Sequence, residues 1–382
     1  MDTASFHNPP GELVKNLDGN WSYVPNALPP ILDWPYDLFV AIHDAAVALS
    51  RLDGLGRRLP NPQRLVRMFL RREAELSSRI ENTYASVKDL LLFPDREKVP
   101  PSSDVLEVNN NFLTLEFAIA SAESRDLTTG LIKEMHAMLL RGVRGHDKTP
   151  GRFRTVQAHI GRTERIDDAR FVPAPPHAID GCMADLERYL GHDDKLFPIV
   201  RAALVHYQFE TIHPFADGNG RVGRVLLLLQ LIKEKVLCAP LLNPSAQLER
   251  HRRAYYDGLL NVSQQGDWSG WIRFFVSGLA EEAADAAARI ESFETLREQY
   301  HRQVATPRAS ALLPQLVDQL LIDPAITNAR TMQLFGITSP SAQNLLDRLT
   351  DLGILQEVTG RPRHRIYMAQ GVIDLFSDDV SS

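Results

Sequence analysis

The chain has 382 residues, of which 44% are hydrophobic and 24% are charged, and a formal net charge of −6 at pH 7. These values are ordinary for a globular protein of two or three domains, and the acidic balance argues against a general nucleic-acid or membrane binder. With only two cysteines, Cys182 and Cys238, neither a disulfide framework nor a zinc site is supported.

The N-terminal region, residues 1–36, is rich in Pro, Gly and Asn, and we expect an extended arm that lies on the surface or is partly disordered. Its beginning lacks the pattern of a signal peptide, and the chain contains no apolar run of about 18 residues. We therefore predict a cytoplasmic protein with no membrane partner.

Apolar residues recur with helical spacing along most of the chain, which predicts an all-α, mainly helical fold. The predicted helices span residues 37–52, 62–92, 103–121, 126–141, 177–190, 195–212, 220–236, 246–263 and 268–303.

The predicted helix at 62–92 carries Ser77 and Glu81 four residues apart, so they share one face. Its buried stripe is formed by Leu65, Phe69, Leu76 and Ile80. Spacing alone favours a Glu81 side chain that faces solvent.

Residues 213–224 read His-Pro-Phe-Ala-Asp-Gly-Asn-Gly-Arg-Val-Gly-Arg. His213 precedes Pro214, which disfavours the α region, so the preceding helix should end there and present the imidazole. An imidazole titrates near neutral pH and suits a general base. Asp217 is a single carboxylate of the kind that holds Mg²⁺ together with substrate phosphates. The string therefore predicts a base beside a metal-assisted phosphate site.

The second half of the string predicts an anion site at the start of a helix. Gly218, Asn219 and Gly220 permit a nest of backbone N–H groups, and a long apolar helix begins there. Arg221 and Arg224 lie three residues apart on one face and are suited to bind a polyphosphate. The glycines also match the dinucleotide and kinase loop patterns, but those require a preceding β-strand, and here a helix and His-Pro precede them.

After Thr306-Pro307 the pattern changes to three short helices and a hairpin, which predicts a winged helix with a recognition helix capped near Ser339. The predicted wing carries Arg361, Arg363, His364 and Arg365. The region as a whole is nearly neutral, well short of the basic surface expected of a DNA binder. Protein recognition or dimerisation is therefore at least as well supported as DNA binding.

The string at 213–224 resembles the signature of the Fic family, H-P-F-x-[DE]-G-N-G-R-x-x-R, at every fixed position. Residues 150–154 and 171–176 are similar to the family's loop and β-hairpin flap, and residues 77–82 to its inhibitory motif, [ST]-x-x-x-E-[GN]. The resemblance implies an N-terminal arm and helical region with the inhibitory motif (1–105), a Fic catalytic domain (106–303) and a winged-helix-like domain (304–382).

The resemblance implies a protein adenylyltransferase, which moves AMP from ATP to a Ser, Thr or Tyr hydroxyl of a target protein or of itself. In that scheme His213 is the general base and Asp217 holds Mg²⁺. The implied nucleotide-binding residues are Gly218, Asn219, Gly220, Arg221 and Arg224.

In the same scheme Glu81, together with Ser77, inhibits the enzyme. A carboxylate on Arg224 makes the bidentate type of contact that a γ-phosphate makes, so the two compete for one guanidinium. The resemblance therefore implies a resting state of low activity.

Two further parts of the scheme concern the target and the adenine ring. Phe171 and Val172 are expected to form the edge of a flap that positions the target hydroxyl near His213. The alternative is a plain solvent-exposed hairpin. Tyr255 is the candidate to cover the adenine, against the alternative of core packing.

Two other functions use the same residues. One is removal of AMP from a modified protein, with Glu81 positioning a water. The other is a nucleotide-sensing regulator whose winged helix binds DNA. An intact base and metal carboxylate favour the transferase, because binding alone needs neither. The sequence leaves open the target, the donor nucleotide and a homodimer.

Overall fold

The protein is described by a computed structural model that covers residues 1–59, 61–92, 102–161, 165–192, 195–305 and 310–377. It is mainly helical, which confirms the predicted all-α class. No helix in these ranges has the length and apolarity that crossing a bilayer requires. The predicted break at Thr306-Pro307 lies outside the described residues.

Helices make up most of the described chain, and the strands between them are short. The helices of the N-terminal half are α1 (Tyr36–Arg58), α2 (Gln63–Ile80), α3 (Val87–Leu92), α4 (Ser103–Ser121), α5 (Thr129–Leu139), α6 (Pro176–Leu190) and α7 (Pro198–Ile212). Those that follow are α8 (Asn219–Lys233), α9 (Pro244–Arg250), α10 (Arg252–Gln265), α11 (Trp268–Val304), α12 (Leu312–Ile322), α13 (Asn328–Phe335), α14 (Ser339–Asp351) and α15 (Gln370–Asp374). The strands are β1 (Gly11–Lys15), β2 (Trp21–Pro25), β3 (Ala325–Thr327), β4 (Gln356–Glu357) and β5 (Ile366–Met368).

Helices α7 and α8 form the centre of the core and carry the signature string between them. Every residue of α7 except Pro198 and Glu210 is buried, and α8 is buried from Arg221 to Leu231. The helices approach closely at Gly223, where an added Cβ would lie 3.1 Å from a ring carbon of Phe209. Because this packing fixes both helices, the short loop between them has fixed ends.

The predicted continuous helix at 62–92 is wrong, because the structure divides it into α2 and α3. Helix α2 ends at Ile80, Glu81 is its C-cap, and Asn82 is left-handed with φ 60°. Asparagine tolerates this conformation better than most residues, so the chain can turn there. The predicted helix at 246–263 similarly divides into α9 and α10.

The N-terminal arm contains a hairpin that its composition did not predict. Strands β1 and β2 pair antiparallel, with Leu13 opposite Tyr23. Tyr23 is fully buried, and its N–H donates to the carbonyl of Val172 at 2.9 Å. The arm is therefore folded onto the segment predicted to form the flap.

Residues 310–377 contain the three helices and the hairpin expected from the sequence, followed by α15. The strands form an antiparallel sheet in the order β3-β5-β4, and the basic side chains at the hairpin tip are exposed. This unit contacts α2 through an ion pair of Arg71 with Asp323 (3.2 Å) and edge-to-face packing of Phe69 on Phe376. Its assignment as a winged helix and its binding of DNA stay predictions.

Gly11 tests the packing of the N-terminal hairpin. An added Cβ would lie 2.4 Å from the carbonyl oxygen of Val24 and 2.7 Å from Cζ of Tyr23. We expect Gly11→Ala to destabilise the hairpin by about 1–3 kcal/mol and to accelerate limited proteolysis within the arm. Gly181→Ala on α6 is the control, because no atom apart from its chain neighbours and its own helix backbone lies within 4 Å of its added Cβ, and alanine favours a helix. Equal proteolysis of the two variants would contradict the packing.

Candidate functional site

His213 lies directly after α7 in a left-handed conformation, with φ 51° and ψ 61°. The helix ends at Ile212, at the position that the following proline predicts, although the backbone is left-handed rather than extended. Its Nδ1 lies 3.3 Å from the carbonyl oxygen of Glu210. In a neutral ring this contact places the proton on Nδ1 and leaves Nε2 as the acceptor. A base that acts through Nε2 requires this tautomer.

The surroundings of His213 favour its neutral form. Burial lowers the pKa of His213 to about 4, and the positive charge of Arg154 acts in the same direction. The carbonyl of Glu210 and the carboxylates of Glu81 and Asp217 oppose this shift without cancelling it. The imidazole is therefore unprotonated at neutral pH and ready to accept a proton.

Asp217 lies in the loop between α7 and α8, with 35% of its side chain exposed. Its carboxylate lies 3.7 Å from Arg221 and against Gly145, where an added Cβ would be 2.9 Å from Oδ2. The described part of the chain holds no group of three or more His, Cys, Asp or Glu side chains able to bind a metal by themselves. One accessible carboxylate fits Mg²⁺ that arrives with substrate phosphates.

The side chain of Asn219 closes the loop. Its amide accepts a hydrogen bond from the N–H of Phe215 and donates one to the carbonyl of Phe215, both at 2.8 Å, and the residue is 2% exposed. Gly218 is the N-cap of α8 with φ 79°, and no side chain caps this helix. The N–H groups of its first turn have no partners within the helix, so they are suited to bind an anion.

Glu81 and Ser77 both contact Arg224, although the spacing alone favoured a solvent-exposed Glu81. Nη2 of Arg224 donates to Oε1 of Glu81 at 2.8 Å and to the Ser77 carbonyl at 2.9 Å, and Nε donates to Ser77 Oγ at 2.8 Å. Burial disfavours both charges, yet their attraction raises the pKa of Arg224 and lowers the pKa of Glu81. The pair is therefore charged at neutral pH.

The Glu81 carboxylate lies in the predicted anion site. An added Cβ on Gly220 would be 2.3 Å from Oε1 of Glu81 and 2.9 Å from Nη1 of Arg224. The carboxylate thus lies directly against the first turn of α8. A phosphate oxygen and this carboxylate oxygen cannot share that position.

Arg221 has a different acidic partner. It is 1% exposed, and its Nη1 lies 3.2 Å from Oε2 of Glu107 on α4. The same Oε2 accepts a hydrogen bond from Thr83 at 3.3 Å and lies 3.5 Å from Arg144. A carboxylate from outside the string therefore fixes the first arginine of the string.

Tyr255 lies in the core rather than in an open pocket. It is 1% exposed, its ring packs near Tyr256 and Trp271, and its hydroxyl lies 2.9 Å from Nε2 of His206. This placement favours the core-packing alternative. Its neighbour Tyr256 is only half-buried, with the guanidinium of Arg252 5.9 Å from its ring centroid.

Phe171 and Val172 are covered by the N-terminal hairpin. Their exposed fractions are 7% and 1%. Phe171 forms an isolated antiparallel bridge with Ile160, and the carbonyl of Val172 accepts a hydrogen bond from the N–H of Tyr23. Among its described residues the predicted flap thus has one bridge rather than a regular ladder, and its first segment is more open, with Val156 64% exposed.

His136 on α5 is a positioning residue that the sequence reasoning missed. Its Nδ1 accepts from the N–H of Gly151 at 2.8 Å, its Nε2 lies 2.9 Å from the carbonyl of Asp217, and its ring stacks on Phe215 at 3.8 Å. Burial lowers the pKa of His136 to about 4, so the ring is neutral and both contacts are satisfied. The only sequence signal was a histidine on an apolar helix face, which many core histidines share.

Two regions of the chain match known families. Residues 126–231 match the Fic/DOC family, and residues 39–120 match the Fic/DOC family N-terminal region. Over 194 residues the chain is 28% identical to a protein of Caenorhabditis elegans named protein adenylyltransferase fic-1, and over 205 residues it is 27% identical to protein adenylyltransferase Fic of Drosophila melanogaster. These matches cover 50% and 52% of this chain but only 35% and 37% of the relatives.

Two solved structures share the fold. A Fic family protein from Desulfovibrio desulfuricans G20 superposes with a TM-score of 0.59 at 23% identity, over 90% of this chain and 98% of that one. Fic-1 of C. elegans superposes with a TM-score of 0.50 at 21% identity, over 68% of this chain and 74% of that one. The first of these likenesses extends over nearly the whole length of both chains.

The depressed pKa of His213 is open to direct measurement. We expect its ring resonances in ¹⁵N-histidine NMR spectra to stay those of the neutral form from pH 8 down to about pH 5, because protonation of this half-buried ring beside Arg154 is unfavourable. Loss of the signals in His213→Asn assigns them. A midpoint near the ordinary histidine pKa of about 6.5 would contradict the geometry.

Proposed function

Because the chain belongs to the Fic/DOC family, we propose that it is a protein adenylyltransferase that moves AMP from ATP to a hydroxyl side chain of a target protein or of itself. The observation that carries the proposal is the placement of a neutral His213 next to an anion site that contains two buried arginines. A base and a polyphosphate site that serve one reaction centre suit displacement at phosphorus.

The proposed step transfers one AMP group. The hydroxyl oxygen of the target attacks the α-phosphorus of ATP, and the bond from that phosphorus to the bridging oxygen of the β-phosphate breaks. Nε2 of His213 takes the hydroxyl proton, and pyrophosphate leaves. The reaction needs positioning, neutralisation of the spread negative charge and one base, and the site supplies each of them.

The chain's own residues would bind the triphosphate at the start of α8. The N–H groups of the first turn and the guanidinium of Arg221 supply positive charge, and Arg224 is the expected partner of the γ-phosphate. Asp217 would hold Mg²⁺, which when bound neutralises phosphate charge. The side chain of Asn219 contributes indirectly, because it keeps the loop closed around Phe215.

Glu81 is the proposed inhibitor. Its carboxylate contacts Arg224 and lies against Gly220, the position in which a γ-phosphate would have to be accommodated. Full engagement of ATP therefore requires Glu81 to leave. The resting protein should bind ATP weakly or in an unproductive arrangement.

The target and the adenine ring would use more open parts of the site. Tyr256 is accessible where Tyr255 is not, so it replaces Tyr255 as the candidate to contact adenine. The flap stays the proposed docking element for the target, with the exposed segment at Val156 available to an added strand while the hairpin covers Val172.

Removal of the Glu81 carboxylate should activate the enzyme. We expect Glu81→Gly to raise self-modification with Mg²⁺ and ATP by about tenfold or more, because coupling energies of this kind are about 1–3 kcal/mol. Intact-mass spectrometry after incubation with each nucleoside triphosphate measures the transfer and identifies the donor. His213→Ala in the Glu81→Gly background should lower the rate by at least about a hundredfold, since it removes the base.

Two controls accompany this experiment. Glu75→Gln changes another acid of α2, which pairs with Arg79 at 2.6 Å, and it should leave activity at the resting level. ATP should raise the melting temperature of the Glu81→Gly variant more than that of the protein that keeps Glu81, because the phosphate replaces the lost partner of Arg224. If Glu81→Gly gains ATP binding without any transfer, the protein senses nucleotides and the transferase proposal fails.

A further inference from the structure

Arg154 is a buried cation with no acidic partner among the residues that the structure describes. It is 3% exposed, and no described carboxylate forms an ion pair with it. Burial lowers the pKa of Arg154 to about 10, which still leaves it charged at neutral pH. Keeping such a charge inside a protein costs free energy unless its donors are well satisfied.

Carbonyl groups around the catalytic histidine supply these partners. Nε of Arg154 donates to the carbonyl of His213 at 2.8 Å, and its Nη2 lies 3.5 Å from the carbonyl of Ile212. The backbone N–H of Arg154 donates to the carbonyl of Pro214 at 2.9 Å. One residue therefore contacts three successive carbonyls of the turn that presents the imidazole.

That turn needs support. His213 is left-handed, and a non-glycine residue pays a conformational cost of about 1–3 kcal/mol there, so surrounding contacts must hold it. Without them the residue before a proline would return to the extended region. An extended His213 would carry its ring away from the observed position.

The remaining donors of Arg154 reach the two segments of the flap. Nη1 donates to the carbonyl of Val156 at 3.1 Å, and Nη2 also donates to the carbonyl of Ala174. Val156 follows Arg154 in the first segment, and Ala174 follows Val172 in the second. The same guanidinium thus joins the base to both sides of the element that is proposed to hold the target.

We propose that Arg154 is the positioning residue of the transfer reaction: its guanidinium holds the left-handed turn of His213 and fixes that turn to both segments of the flap. This inference rests on the proposed function. It assigns to one side chain the alignment of the base with the target hydroxyl. Lysine cannot replace it, because a single ammonium does not reproduce a planar fork that donates in several fixed directions.

The positive charge gives Arg154 a second effect. It stands beside the imidazole and acts with burial to keep the pKa of His213 low, whereas the facing carboxylates of Glu81 and Asp217 act in the opposite direction. Neutralising Arg154 should therefore raise the pKa of His213, and Arg154→Lys should leave it nearly unchanged. A purely structural arginine would not separate these two variants.

The test compares Arg154→Lys and Arg154→Gln in the activated Glu81→Gly background. We expect Arg154→Lys to lower kcat for self-modification by about tenfold to a hundredfold with little change in the Kd for ATP, since misplacement of the reacting groups affects the chemical step. Arg154→Gln should lose as much kcat and also move the acidic limb of kcat/KM towards higher pH.

Arg201→Lys is the matched control. Arg201 is also buried, lies on α7 at the opposite end from His213, and contacts the carbonyl of His192 and the carboxylate of Glu234. The Arg201→Lys variant should lose thermal stability, as the Arg154→Lys variant does, but its kcat should be unchanged. An equal loss of kcat in Arg201→Lys, or an unchanged kcat in a folded Arg154→Lys protein, overturns the proposal.

A second measurement needs no catalysis and separates this inference from the proposed function. In the nucleotide-free protein, the NMR titration of His213 should shift to higher pH in Arg154→Gln, with His206 unaffected as an internal reference. If Glu81→Gly shows no transfer and this shift is present, the proposed function fails, while the support that Arg154 gives to the turn of His213 stands. If the titration of His213 does not move, the positioning role fails.

Discussion

The buried charge of Arg224 is the constraint on which the rest of the site depends. A guanidinium placed in the first turns of a core helix costs several kcal/mol unless an anion accompanies it. Glu81 supplies that anion in the structure while Ser77 accepts a further hydrogen bond, and a γ-phosphate would supply the anion during the proposed reaction. The fold therefore requires an anion at this position without requiring a particular one. In the proposed function, a carboxylate from the same chain would for that reason compete with the nucleotide.

The loop of the signature string is held mainly by hydrogen bonds to its backbone groups. Two of the side chains that make these bonds come from outside the string, and one comes from the string itself. His136 holds the carbonyl of Asp217, Asn219 holds both polar groups of Phe215, and Arg154 holds the carbonyls around His213. This division leaves the functional groups of the loop unused by the scaffold. In the proposed reaction the imidazole nitrogen and the Asp217 carboxylate, and the first N–H groups of α8 once Glu81 has left, can serve the substrate, because other residues carry the structural hydrogen bonds.

The sequence predicted the parts of the site that depend on local structure. The helix end at a His-Pro pair and the glycine turn before an apolar helix follow from backbone preferences, and both are present. The contact of Glu81 with Arg224 joins residues 143 positions apart, so only the family resemblance suggested it. Tyr255 and its neighbour were indistinguishable, because the inward face of α10 is set by its packing against α11. The N-terminal hairpin was missed because its short strands lie among turn-forming residues and are ordered by tertiary contacts.

The position of Glu81 indicates how the anion site can be vacated without unfolding α2. Toward its other end, α2 is anchored by Phe69 on Phe376 and by Arg71 on Asp323, so a movement of the whole helix would break both contacts. Glu81 itself lies beyond the last helical residue, with 32% of its side chain exposed. Rotation of this side chain into solvent leaves the hydrogen bonds from Arg224 to Ser77 intact. The proposed inhibition would therefore depend on one side-chain equilibrium, which ATP can shift by as much as it prefers the vacated site.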